Sequence, residues 1–246
     1  WYRLTLDAFG VPYDLVYKEQ LGLGSLRTKY DVILIAEQGL SRTAVMQKPN
    51  EKPVPYRKSE KYQFLGMYGE SDDISGGFQQ KGVDAFGAFL EAGGTLIAVG
   101  EAARLPIDFG WAGTVEKTTV AGLRAQRPLV EGEIVRPEHP VFYGYDSKII
   151  PVKYVGGQPF RVGVANEGDV LARYVGGGGA VLSGLMEGAD LIKQRPFAVD
   201  IPRAYHGAGR VILFANNPIY RWQNHGEFNM IFNSLLNWND VVAHPE

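Results

Sequence analysis

The sequence predicts an α/β protein: a three-layer sandwich built on a mainly parallel sheet. Three observations carry that reading. Residues 82–92 place Val83, Phe86, Phe89 and Leu90 on one helical face, the spacing of an amphipathic helix. Gly93-Gly94 stops it, and Thr95-Leu96-Ile97-Ala98-Val99 follows as an apolar run of strand length. An earlier run, Tyr30-Asp31-Val32-Ile33-Leu34-Ile35-Ala36, is apolar through its middle, as strands buried on both faces of a parallel sheet are. Strands alternating with helices define this fold class.

The remaining elements follow in order. Residues 1–9 form a helix with Leu4 and Ala8 on one face and Trp1 nearby, ended by Gly10. Tyr13-Asp14-Leu15-Val16-Tyr17 is a short strand. Residues 47–61 are polar and rich in Pro, hence a loop. Gly76-Gly77-Phe78 opens the central helix. Between residues 111 and 173 helical periodicity disappears, and short strands at 130–135 and 161–164 mark a β-rich insertion within a single domain spanning 1–246. Strands at 171–175 and 180–183 bracket Gly176-Gly177-Gly178-Gly179, expected to be a hairpin turn. Strands at 197–201 and 210–215 precede a last helix whose apolar face is Ile231, Phe232, Leu235 and Trp238. A doubly wound sheet ordinarily starts with a strand, whereas this chain opens on a helix. The expected first strand therefore lies upstream of residue 1.

Composition narrows the function. A net charge of −2 in 246 residues leaves no basic footprint for nucleic acid, and no apolar run has the length of a membrane helix. The chain has no cysteine, which removes disulfides, thiolate metal sites and cysteine nucleophiles. Ser183 lacks the Gly-x-Ser-x-Gly context of a hydrolase elbow. His225-Gly226-Glu227 offers two metal-ligand types, but residues two apart share no helix face, and no metal site is assigned.

The candidate site residues sit at strand ends, where open α/β sheets bind ligands. Glu101 follows the strand at 95–99, with Arg104 one turn on, able to pair with it or with an anionic ligand. Asn217, Tyr220, Arg221, Trp222, Gln223, Asn224 and His225 follow the last strand. Aromatic rings with amides and an Arg suit a carbohydrate or peptide. The structural alternative has Asn224 capping the last helix. Asn217, Arg221 and His225 join Glu101 and Arg104 as ligand-binding candidates.

Three stretches also carry a family resemblance. They are Trp1-Tyr2-Arg3-Leu4-Thr5-Leu6-Asp7 with Phe9-Gly10-Val11-Pro12-Tyr13; Ile74-Ser75-Gly76-Gly77 through Gly93-Gly94-Thr95-Leu96; and Gly209-Arg210-Val211-Ile212-Leu213-Phe214 with Pro218, Arg221, Gln223, His225-Gly226 and Phe232-Asn233-Ser234-Leu235-Leu236. Together they resemble the class I glutamine amidotransferase-like (flavodoxin-related) domain at the C-terminal end of bacterial zinc carboxypeptidases. The resemblance implies a non-catalytic accessory domain serving docking, stability or substrate presentation. Its partner would be an upstream peptidase domain of the same polypeptide, which alone would hold zinc, and the protein would be secreted or periplasmic. The family's amidotransferase elbow would carry Cys where this chain has Gly100-Glu101, and its catalytic His would fall in Ala215-Asn216-Asn217-Pro218. An alternative is a free-standing sugar- or small-ligand-binding protein resembling the trehalose-utilisation branch of the same fold. An enzyme with Glu101 as general base is a third reading, against which the absent Cys and His weigh.

Overall fold

The computed structural model describes residues 1–67, 69–155 and 158–240, with the backbone alone at 207 and 208. Six helices are described: α1 Tyr2–Ala8, α2 Arg42–Met46, α3 Gln79–Glu91, α4 Arg104–Asp108, α5 Ala204–Ala208 and α6 Phe228–Leu236. The strands are β1 Val32–Ile35, β2 Thr95–Val99, β3 Val115–Lys117, β4 Arg124–Ala125, β5 Leu129–Ile134, β6 Ile149–Lys153, β7 Phe160–Val162, β8 Val170–Tyr174, β9 Val181–Ser183, β10 Met186–Glu187, β11 Pro196–Arg203 and β12 Gly209–Phe214.

The main sheet runs β1-β2-β12-β11-β8-β5-β6, with β9 also on β5. β1, β2 and β12 pair in parallel, Ile33 and Val211 both opposite Leu96. The pairs beyond β12 are antiparallel. Six strands (β1, β2, β12, β8, β6, β9) therefore point one way, and β11 and β5 the other. Every residue of β2 is buried, as are Val211 to Phe214 of β12, so both faces of the sheet are covered. α3, with α2 and α5, forms one cover. α1 and α6 form another, joined where the Phe9 ring meets Trp222, Phe228 and Phe232 at 6.1, 6.4 and 5.0 Å. Burying each large side chain of these two strands contributes about 1.5–3 kcal/mol, and this makes β2 and β12 the rigid base of whatever follows them.

A buried polar cluster ties the antiparallel half together. Asp200 of β11 pairs with Arg210 of β12 at 3.1 Å and with His139 Nε2 at 3.1 Å. Val141 N donates to His139 Nδ1, so Nε2 carries the proton and donates to the carboxylate.

Several sequence expectations change. In α1 the buried residues are Tyr2, Thr5 and Leu6, while Trp1, Leu4 and Ala8 are exposed; Tyr2 turns inward because its hydroxyl has a buried partner. β1 is half-buried rather than buried on both faces, because it is the outermost strand. Residues 13–17 form no ladder. β5 and β6 of the insertion extend the main sheet, while β3–β7 and β4–β10 form separate two-stranded pairs. Gly176 to Gly179 is no hairpin turn: β8 and β9 lie along the same strand, β5, and run in the same sense. The glycines let the chain step between them, since Gly176 has φ +70 and a Cβ there would lie 2.4 Å from Lys193 Cα.

Candidate functional site at the carboxyl ends of the parallel strands

β2 ends at an elbow. Gly100 takes φ +60, a conformation that favours glycine, and turns the chain into a short helical turn, Gly100–Ala103, leading to α4. A Cβ on Gly100 would lie 2.9 Å from Glu37 Cδ. The Glu37 carboxyl therefore occupies the space an elbow side chain would claim. Glu37 arrives there two residues past the end of β1, and Asn217 arrives three residues past β12. Asn217 Nδ2 donates to Glu37 Oε2, and Tyr2 Oη donates to Asn217 Oδ1 at 3.0 Å. These two bonds fix the amide, oxygen toward the phenol and nitrogen toward the carboxylate. Burial holds the Tyr2 phenol well above its ordinary pKa, reinforced by the charges of Glu37 and Glu227, so it stays a donor.

The other side of the elbow is ionic. Lys117, the last residue of β3, donates from Nζ to Gly100 O at 2.9 Å and to Glu101 Oε1 at 3.0 Å. Its side chain is 3% exposed. Arg104 Nε lies 3.4 Å from Glu101 Oε2, and its terminal nitrogen reaches Gln158 at 3.3 Å. Partial burial pushes the Glu101 carboxyl up, but the Lys117 hydrogen bond, with the Lys117 and Arg104 charges, outweighs it and the pKa is lowered. Desolvation lowers the pKa of Lys117 despite its carboxylate partner. Removing the ammonium while keeping the bulk, Lys117→Met, is expected to raise the Glu101 carboxyl pKa. Carboxyl NMR titration reads it, and an unmoved Glu101 resonance would refute the pairing.

The candidates thus separate. Glu101, Arg104 and Asn217 converge around Gly100 through Glu37 and Lys117. Arg221 and His225 do not join them. Arg221 lies over the Tyr220 ring, its Cζ 5.7 Å from the centroid. The exposed His225 packs its ring on Trp222 and Phe228 at 5.3 and 4.8 Å. Asn224 does not cap α6, whose N-cap is Glu227. Its amide donates to Pro151 O and to Glu227 Oε2. Glu227 is fully buried, and its carboxylate also accepts from Lys153 N at 2.9 Å and Asn216 Nδ2 at 2.7 Å. Burial pushes it up to about 8, against the pull of those donors. Among the described residues no cluster of His, Cys, Asp and Glu could hold a metal ion.

Sequence reading missed Glu37, Lys117 and Tyr2. Glu37 was within reach, since it follows an apolar strand directly. Lys117 and Tyr2 enter only through long-range folding, from the insertion and from α1. A cleft of about 560 Å³ opens between the loop after β1 and the start of α3, lined among others by Lys18, Gln38, Gly39, Leu40, Ser75 and Gly76, and its lining includes none of Glu37, Glu101, Arg104 and Asn217.

No family model and no curated protein matches the sequence. Solved structures do. A cytoplasmic protein from Salmonella typhimurium is similar over 96% of this chain and 85% of its own, at 17% identity and a TM-score of 0.53. A second cytoplasmic protein from Salmonella typhimurium LT2 is similar over 87% of this chain and 73% of its own, at 18% identity and a TM-score of 0.47. A protein described as ThuA-like, from Bacteroides uniformis, is similar over 96% of this chain and 80% of its own, at 13% identity and a TM-score of 0.48. The fold is a three-layer α/β sandwich whose parallel strands β1, β2 and β12 lead into the elbow at Gly100.

Proposed function

We propose that this chain is a free-standing ligand-binding protein whose crevice at the carboxyl ends of β1, β2 and β12 takes a small neutral polyhydroxyl ligand, a sugar in chemical class. The observation that carries the reading is the glycine elbow filled by Glu37. The position that would hold a nucleophile has no side chain, and a carboxylate held by Asn217 stands there instead. Glu37 and Glu101 offer acceptors to hydroxyl groups, while Arg104 and the amide of Gln158 offer donors, a mixture suited to neutral polyols.

Isothermal titration with mono- and disaccharides tests it. Saturable binding is expected, weakened about tenfold or more in Glu37→Ala and in Glu101→Ala, as loss of a charge-assisted hydrogen bond would produce. No saturation by any neutral sugar, or binding indifferent to both substitutions, would sink the reading.

A second reading, an exported accessory domain of a zinc carboxypeptidase, is favoured by the three sequence stretches described above and by the outer edge of β1, which pairs with no strand among the described residues. In that reading the zinc lies in the upstream peptidase domain. Intact mass and zinc content of the protein purified from its source decide it: a mass near 27.1 kDa without zinc excludes the peptidase parent.

A further inference from the structure

Two arginines with left-handed backbones meet on one ring. Arg127 has φ +53 and Arg221 φ +52, a conformation costly for any residue with a side chain and concentrated at functional sites. Their guanidinium carbons lie 5.6 and 5.7 Å from the centroid of the Tyr220 ring, within cation–π range. Among the described residues neither makes an ion pair or a hydrogen bond to a carboxylate. Both side chains are exposed. Two unneutralised cations thus flank a single ring in a chain of net charge −2, and each is open to an anionic partner.

The topology places this pair at the crevice end of the sheet. Tyr220 N donates to Asn217 O at 3.1 Å, so the ring stands one turn beyond the elbow cluster. Arg127 precedes β5, which runs opposite to β2 and β12, so the start of β5 lies at their carboxyl end. Planar guanidinium forks match the oxygens of phosphoryl groups bidentately, and two of them match a dianion.

We propose that Arg127 and Arg221, spaced by Tyr220, bind the phosphoryl group of a small ligand. This site stands apart from the neutral-sugar reading of the crevice, and the two can fail separately. The test titrates the protein with inorganic phosphate, glucose 6-phosphate and glucose, following the arginine Nε resonances by NMR and the heat by calorimetry.

Saturable shifts at both arginines are expected with the two phosphates and not with glucose. Each of Arg127→Ala and Arg221→Ala should weaken binding about tenfold, and Arg221→Lys should also weaken it, because lysine lacks the fork. Glucose 6-phosphate binding more tightly than phosphate would identify a phosphorylated sugar as the ligand type; equal affinities would identify free phosphate. Arg221→Gly separates binding from structure: its melting temperature should hold or rise, as strain is released, while phosphate affinity falls. No saturation by either phosphate at millimolar concentration, or full affinity in the double alanine variant, overturns the proposal. Neutral-sugar binding that survives the double variant leaves the crevice reading intact.

Discussion

Replacing Glu227 with alanine is expected to destabilise the protein by about 3–5 kcal/mol. The carboxylate is the shared acceptor for Lys153 N, Asn224 Nδ2 and Asn216 Nδ2. Its removal strands those donors, each unsatisfied buried group costing about 1–3 kcal/mol. It also unties three segments at once: the end of β6, the loop after β12 and the start of α6. Glu227→Gln should behave differently. Asn216 Oδ1 is buried without a partner, and rotating that amide would present it to a protonated Glu227 or to the glutamine amide. Glu227→Gln is therefore expected to cost less than about 1.5 kcal/mol. Chemical denaturation of the three proteins checks the order; an alanine variant as stable as the glutamine variant would contradict it.

The same group predicts a pH dependence. Its folded pKa, pushed up to about 8, lies above the ordinary carboxyl value of 4.5. Between those values the folded state binds the extra proton, so stability falls as pH rises. The contribution is fully present below about pH 4.5 and is lost as pH passes through about 8, then stays constant. Melting temperatures across that window should decline in the parent protein more steeply than in Glu227→Gln. Equal slopes would remove Glu227 as the cause.

The second large effect is expected at Gly209, where β12 begins. Its φ is unremarkable for any residue, and the constraint is space. A Cβ there would lie 2.5 Å from Leu90 O, 2.8 Å from Leu90 Cα and 3.0 Å from Leu90 C. These are backbone atoms at the end of α3, unable to swing aside as a side-chain tip could. Gly209→Ala is expected to cost about 2–4 kcal/mol, in the range of overpacking plus backbone displacement. Because β12 pairs with β2 through Phe214 opposite Val99, the shift should also reach the elbow. Thermal unfolding checks the first effect, and NMR shifts at Gly100 and Asn217 the second; an alanine variant with unchanged stability would mean that α3 gives way more easily than its burial implies.

Local chemistry made part of this protein legible without a structure. The helical stripe of Val83, Phe86, Phe89 and Leu90, the Gly-Gly stop and the apolar run at 95–99 act over a few residues each, so periodicity alone places α3, β2 and the elbow. The rule that ligands meet strand ends singled out Glu101, Arg104, Asn217, Arg221 and His225; the first three lie around Gly100, and the last two do not. Where the partner is distant, the sequence was silent or misleading. Nothing in residues 1–9 distinguishes Leu4 from Tyr2 as the inward residue; the choice is made by Asn217, more than two hundred positions away. The glycine run before β9 has hairpin composition, yet whether flanking strands pair with each other or both with β5 is a decision about register across the sheet.

By itself, then, the sequence determined the α/β class, the order of the main helices and strands near the elbow, and the absence of cysteine chemistry. Only the tertiary structure decided that Glu37 fills the empty elbow, that Lys117 is buried against Glu101, and that Arg221 lies over the Tyr220 ring, which Arg127 also approaches. The physical reason is range. Propensity and periodicity are written in neighbouring residues, whereas a site assembled from α1, β1, β2, β3 and β12 depends on which strand ends the sheet brings side by side.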